Sequence, residues 1–255
     1  MLREAGIPID LAVGCSGGAL YVAAVALGWD ATRCEDATRK LWNREITARR
    51  DHRAAFAALF PKLLGFSPSW GLVDDRIAVR RVQQVFGELT FADAGIPLRI
   101  VATDFLTGDK VLLSEGRLAD AMRASFGIPF VFRPWKVGDR LLCDGFLSDP
   151  LPVDVAIRER ARLILAMGFA APVQRHVTSP VRFAFQVTTV MSNNLLRANF
   201  AFHNLANHGE LVPILPTFEE EVGPFETEKL SAIIAAGDRA MRAAMPAVES
   251  ALAAP

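Results

Sequence analysis

The stretch Leu11-Ala12-Val13-Gly14-Cys15-Ser16-Gly17-Gly18-Ala19-Leu20 decides how the rest of the chain is read. Within it, Gly14-Cys15-Ser16-Gly17-Gly18 fits the G-x-S-x-G pattern of a nucleophile elbow, in which a serine sits on a sharp turn between a strand and a helix. The flanks supply both elements. An apolar run from Ile9 to Val13, broken by Asp10, precedes the turn, and small residues from Ala19 to Leu27 follow it. A serine hydroxyl is a poor nucleophile unless the fold pushes its oxygen out on a strained turn and activates it. Glycines at 14 and 18 are expected to let strand and helix approach without Cβ clashes and to permit strained dihedrals. The Gly17 N–H falls at a helix N-terminus, where unpaired donors and the helix dipole favour a developing oxyanion. Taken alone, the same five residues equally describe a glycine-rich turn that only packs tightly or cradles a phosphate. No Lys follows the glycines, as a phosphate loop requires.

Composition narrows the classes. The chain has 255 residues, 51% hydrophobic and 22% charged, which suits one core-rich α/β domain over 1–255 and argues against disorder. Lys plus Arg and Asp plus Glu number 28 each, so no global charge favours nucleic acid. Cys15, Cys34 and Cys143 are odd in number and unclustered, which fits a reducing compartment better than a disulfide framework, and no metal-ligand spacing occurs. No run of about 18 uninterrupted apolar residues marks a membrane span. Leu11 to Cys15 loosely resembles a lipoprotein cleavage site, but Asp10 and Glu4 interrupt the apolar and basic regions such a leader needs. The expectation is a cytoplasmic protein, with peripheral membrane contact left open.

Along the chain, residues 1–8 read as a last helical turn capped by Gly6 and stopped by Pro8. So short a helix rarely forms alone. Helices are expected over Asp30 to Trp42, His52 to Leu64 (disturbed by Pro61), and from a cap at Asp74 or Asp75 to Phe86. Between Arg33 and Arg53 seven Lys/Arg face four Asp/Glu, with Trp42 among them. That is a solvated helical face, with contact to anionic lipid headgroups as the alternative. Leu98 to Asp104 is β-rich, and Thr107-Gly108-Asp109 reads as a turn into Lys110 to Leu113. A short helix Leu118 to Ser125, a strand Arg140 to Cys143, a helix Pro152 to Arg160 and a buried strand Leu163 to Met167 follow. Pro180 to Ala206 is helical and crowded with apolar side chains from Phe183 to Phe202, most simply core and alternatively an acyl-chain lining. A strand Leu211 to Leu215 and a helix Glu226 to Leu252 close the chain. Strands alternating with helices predict a layered α/β fold.

A second motif, Asp144-Gly145-Phe146, follows the strand Leu141-Leu142-Cys143 and places a carboxylate at a strand's C-terminal end, where sites in open α/β sheets collect. Asp-Gly alone is an ordinary turn signal. Its surroundings carry the weight. The stretches 2–20, 102–108 (Ala-Thr-Asp-Phe-Leu-Thr-Gly), 119–129 (Ala-Asp-Ala-Met-Arg-Ala-Ser-Phe-Gly-Ile-Pro) and 142–153 (Leu-Cys-Asp-Gly-Phe-Leu-Ser-Asp-Pro-Leu-Pro-Val) resemble the bacterial patatin-like phospholipases, including their neuropathy-target-esterase-like branch.

The resemblance implies a three-layer α/β/α fold with a mostly parallel central sheet. It also implies a Ser–Asp dyad acting on acyl esters of lipids without metal or cofactor. Carried across by motif, Ser16 is the nucleophile and Asp144 its partner, with Gly14, Gly17, Gly18 and Gly145 as elbow and oxyanion backbone. Three departures stand out. Cys15 replaces the usual threonine, and Phe146 stands where the family has glycine or alanine, so it could narrow the site or shift the Asp144 loop. The family's glycine-rich oxyanion loop lies upstream of where this sequence starts, and the expectation is an open reading frame that begins earlier.

Two other readings stay open. The order Ser16, Asp144, then His203 or His208 matches a Ser-His-Asp hydrolase. A non-catalytic lipid-binding or regulatory homologue is the other. Asp104 is expected to stabilise its turn, Arg123 and Ser125 to support packing and loops, and Cys143 to act as a small buried hydrophobe. Oligomeric state is not legible.

Overall fold

The computed structural model describes residues 1–59, 67–168, 173, 176–206, 210–218 and 226–253. Its centre is a five-stranded sheet whose strands are β1 (Ala12–Cys15), β2 (Leu98–Asp104), β3 (Lys110–Leu113), β4 (Trp135–Val137) and β5 (Arg140–Asp144). A two-stranded sheet pairs β6 (Leu163–Met167) with β7 (Glu210–Ile214). Parallel pairing is found at β1–β2 and β6–β7, while β2–β3, β2–β5 and β4–β5 are antiparallel. The sheet is therefore mixed. Short turns through Gly108 and Gly138, both at positive φ, join β2 to β3 and β4 to β5, and a parallel crossover needs about a dozen residues or more.

The side-chain period of two along β2 sorts its residues onto two faces. Leu98 and Ile100 join the largest core cluster with Leu20 and Ala23 of α1 (Gly17–Ala26), Leu41 of α2 (Ala31–Leu41), Val82 and Phe86 of α4 (Arg76–Phe86), and Met122 of α5 (Leu118–Ser125). Val101, one position out of phase, packs on the opposite face with Cys15 and Val155 of α6 (Val153–Arg158). Helices thus cover both faces, the layering expected. Two aspartates bond the backbone at helix starts, Asp74 being one of the two cap candidates. Asp30 accepts from the Arg33 N–H at 2.7 Å, and Asp74 Oδ1 accepts from the Arg76 N–H at 3.3 Å.

Asp75 is otherwise engaged. Its carboxylate meets Arg123 at 2.6 Å, and Arg123, 1% exposed, also donates to the Arg133 carbonyl at 2.9 Å and faces the rings of Phe126, Phe132 and Trp135. Burial draws the Arg123 guanidinium below its ordinary value, and Asp75 opposes that. This pair fixes α5 inside the core.

Helix α3 is described over His52–Leu59, and the rest of the expected span to Leu64, Pro61 included, lies outside the described residues. The long helix α7 (Pro180–Ala206) buries Ala184 and Leu196 but leaves Phe183 63% and Phe202 65% exposed, so core packing accounts for only one side of it. The turn at the chain start forms as expected, with Gly6 at φ 67°. Met1, Leu2 and Ile7 hold it by packing on Val212, Ile214 and Met241 of β7 and α8 (Leu230–Ala253), so tertiary contact supplies what a lone turn lacks.

Candidate active site

Strand register brings the two motifs together. β1 pairs with β2 from Leu98 to Val101, and β3 pairs with β2 from Ile100 to Thr103, so these two occupy opposite edges. β5 pairs with Ala102 to Asp104, where β3 already holds one edge, and so shares the β1 edge. Running in opposite directions, β1 and β5 end nose to nose: Cys15 lies opposite Val101 and Asp144 opposite Ala102. The residue after β1 is Ser16. Its Oγ donates to Asp144 Oδ2 at 2.8 Å across 128 residues of sequence.

Ser16 holds φ 52° and ψ −128°, a conformation unfavourable for any residue with a Cβ. This is the strained turn of an elbow, and it leaves Ser16 half-buried while Asp144 is 0% exposed. Burial raises the Asp144 carboxyl to about 8, against the hydrogen bonds from the Phe146 N–H and the Ser16 hydroxyl, which lower it. Asp144 Oδ1 accepts from the Phe146 N–H at 3.1 Å, and the Asp144 N–H donates to the Gly127 carbonyl at 3.1 Å. Thr103 Oγ1 donates to the Asp144 carbonyl at 2.9 Å and lies 2.8 Å from Ser148 Oγ. Farther along the same turn, Lys110 Nζ bridges Asp149 at 2.9 Å and Asp154 at 2.6 Å, and the Asp149 N–H donates to the Gly145 carbonyl at 2.8 Å.

The four glycines divide. A Cβ on Gly14 would lie 2.3 Å from Val22 Cγ2 and 2.9 Å from Ala19 Cα, so the expected close approach of strand and helix is real there. A Cβ on Gly145 would lie 2.4 Å from the Val101 carbonyl oxygen and 2.9 Å from Cys15 Sγ. Gly17 and Gly18 meet nothing within 4 Å, which corrects the expectation that Gly18 serves strand–helix approach. Their backbone is what matters: at the first positions of α1 their N–H groups have no intrahelical acceptor. Gly145→Ala is accordingly expected to lower stability by about 3 kcal/mol, while Gly18→Ala stays within about 1 kcal/mol, in urea denaturation. Equal losses would show that the crowding at 145 is not real.

The Phe146 side chain packs against Cys15, Val101 and Val155 on the α6 side of the sheet. Asp104 Oδ1 accepts from the N–H groups of Leu106 and Thr107, the turn role expected of it. Burial pushes the Cys143 thiol up to about 12, as suits a packed apolar side chain. His52 and His176 are exposed; the side chain of His203 and all of His208 lie outside the described residues. Among the described residues no three His, Cys, Asp or Glu side chains converge as a metal set, and no helix is long and apolar enough to cross a membrane. On the Arg33–Arg53 surface Arg39 pairs with Glu35 at 2.5 Å, Glu45 and Asp51 pair with Arg81 and Arg133 from outside it, and Arg33 lies over the Trp29 ring. Thr103, Ser148 and Asp149 lie within the stretches that carry the resemblance, but nothing in the sequence assigns them or Lys110 a role, because only the strand register brings them to Asp144.

An elbow serine bonded to a buried Asp-Gly carboxylate, on a sheet covered on both faces, agrees with the family comparison. The patatin-like phospholipase profile matches residues 1–157, and the chain belongs to that family. Its relatives place it in the NTE branch. An NTE family protein of Mycobacterium tuberculosis (strain ATCC 25618 / H37Rv), itself uncharacterized, is 29% identical over 96% of this chain and 43% of its own length. The mouse patatin-like phospholipase domain-containing protein 6 is 27% identical over 65% of this chain and 12% of its own length. The chain thus spans less than half of these relatives. Among solved structures, VipD from Legionella pneumophila aligns over 94% of this chain and 62% of its own, with TM-score 0.49 and 13% identity.

Proposed function

We propose that residues 1–255 form one serine acyl-hydrolase domain that cleaves carboxylic esters of lipids (phospholipids, lysophospholipids or simple acyl esters) through a Ser16–Asp144 dyad. The observation that carries this is the 2.8 Å bond from Ser16 Oγ to a fully buried carboxylate. As Oγ attacks the ester carbonyl carbon, Asp144 Oδ2 takes its proton, and the N–H groups of Gly17 and Gly18 donate to the oxyanion that forms. Collapse of that intermediate breaks the ester C–O bond. The departing alcohol takes the proton back from Asp144, leaving an acyl-serine. Water then attacks the acyl carbon with Asp144 again as base, releasing the acid and restoring Ser16.

A Ser-His-Asp arrangement needs a histidine between the two groups, and here the carboxylate occupies the base's position itself. The test is a fluorophosphonate probe, with the labelled peptide mapped by mass spectrometry, beside turnover of p-nitrophenyl esters. Labelling at Ser16 is expected, and turnover is expected to survive both His203→Ala and His208→Ala. No labelling in a folded chain would favour the non-catalytic, lipid-binding reading; loss of turnover in either histidine variant would favour a triad.

A further inference from the structure

We propose that Ser125 is a positioning residue for this reaction, and that the C-terminal end of α5 is the bracket that holds both dyad members; the proposal rests on the dyad reading above. Ser125 is 0% exposed, and its Oγ accepts from the Ser16 N–H at 2.8 Å while donating to the Val101 carbonyl at 2.7 Å. Two residues on, the Gly127 carbonyl accepts from the Asp144 N–H at 3.1 Å. One short segment therefore grips the backbone of both Ser16 and Asp144, at the point where β1 and β5 end against each other. The segment is itself anchored, since Arg123 ties it to Asp75 in the core.

The need for such a bracket follows from the Ser16 dihedrals. A non-glycine residue in that conformation persists only where its surroundings over-determine it. The bond from its Oγ to Asp144 is one constraint, and the bond from its N–H to Ser125 is the other. It also commits the Ser16 N–H, so the donors left for an oxyanion at the elbow are those of Gly17 and Gly18. Without the Ser125 acceptor a half-buried N–H loses its partner and the turn relaxes, carrying Oγ away from Asp144 Oδ2. A misplacement of about 1 Å at a reacting atom costs roughly 10²-fold. Ser125 is fully buried and its hydrogen bonds go to the Ser16 N–H and the Val101 carbonyl, so the loss falls on kcat and not on KM.

The experiment uses the full chain with Ser125→Ala and Ser125→Cys, the latter keeping the volume but offering only a weak acceptor. Three quantities are measured: kcat and KM on a p-nitrophenyl ester, hydrogen–deuterium exchange of the Ser16 amide, and thermal unfolding. Both variants are expected to lose about 10- to 100-fold in kcat with KM within about 2-fold, and to exchange the Ser16 amide at least about 10-fold faster. If Ser125→Ala unfolds, Ser125→Cys decides alone. Wild-type kcat in Ser125→Cys, or an unchanged Ser16 exchange rate in a folded variant, overturns the proposal. If the unmodified chain neither turns over ester nor labels at Ser16, the dyad reading fails by itself. The exchange comparison still decides whether Ser125 holds the elbow.

Discussion

Ser16→Ala is expected to reduce ester turnover by on the order of 10⁴- to 10⁶-fold and to abolish fluorophosphonate labelling, with the fold intact. The size follows from what the hydroxyl does: it is the atom that would bond to the acyl carbon, and no other described side chain is bonded to Asp144 Oδ2. Ser16→Gly is expected to be equally inactive yet more stable than Ser16→Ala by about 1–3 kcal/mol. Both variants lose the oxygen, so the difference isolates the backbone. Alanine still carries a Cβ at φ 52° and ψ −128°, whereas glycine adopts that conformation without strain. Urea denaturation of the pair reads the strain held at the elbow. Equal stabilities would mean that the turn is relaxed, and the case for a conformation held under constraint, Ser125 included, would weaken with it. Residual labelling of Ser16→Ala at another residue would move the nucleophile elsewhere.

Ser16 and Asp144 are legible as candidates because each is marked locally. Gly14 and Gly145 are needed where backbones or side chains come within 3 Å of a would-be Cβ, and such crowding selects glycine whatever lies around it. The strands Leu98 to Asp104 and Leu163 to Met167 occur where expected, but the second is buried only at Ile164 and Ala166 and leaves Met167 57% exposed, so its apolar run does not mean burial on both faces. What the sequence could not convey was pairing. Nothing local in Lys110 to Leu113 or Arg140 to Asp144 states that both strands lie along β2, on opposite edges and overlapping at Ala102 and Thr103. That register is what sets Asp144 against Ser16 and brings Thr103 beneath it. Ser125 was readable as support on a short helix, but its bond to the Ser16 N–H depends on how α5 docks. The docking follows from Asp75, a residue that reads from sequence as a helix cap and in the fold serves Arg123 instead. The exposed side of α7 eluded periodicity because its apolar residues outnumber the positions that the core can cover.

Asp144→Asn is expected to remove activity and, at the same time, to remove a pH dependence of stability. In the folded chain the Asp144 carboxyl titrates at about 8, chiefly because burial disfavours the charged form. In the unfolded chain it returns to the ordinary carboxyl range near 4. Below about pH 4 both states hold the proton, and the group contributes no pH dependence. Between about 4 and 8 the folded state holds a proton that the unfolded state has released, so each rise in pH favours unfolding. Stability therefore falls by about 1.4 kcal/mol per unit, on the order of 4 kcal/mol from pH 5 to pH 8, and levels off above. The asparagine amide has the shape of the protonated carboxyl: its oxygen accepts from the Phe146 N–H and its nitrogen donates to Ser16 Oγ, so the variant folds without that decline. Only the carboxylate can take the Ser16 proton, so wild-type kcat/KM is expected to rise about tenfold per pH unit up to about 8 and then flatten. In Asp144→Asn it should lie about 10⁴-fold lower with no such rise. Urea denaturation and ester hydrolysis across pH 5 to 9 measure both. An activity plateau already reached at pH 6, with stability curves that run parallel in the two proteins, would place the charge on Asp144 from the outset and refute a carboxyl raised by burial, while leaving Asp144 free to act as the base.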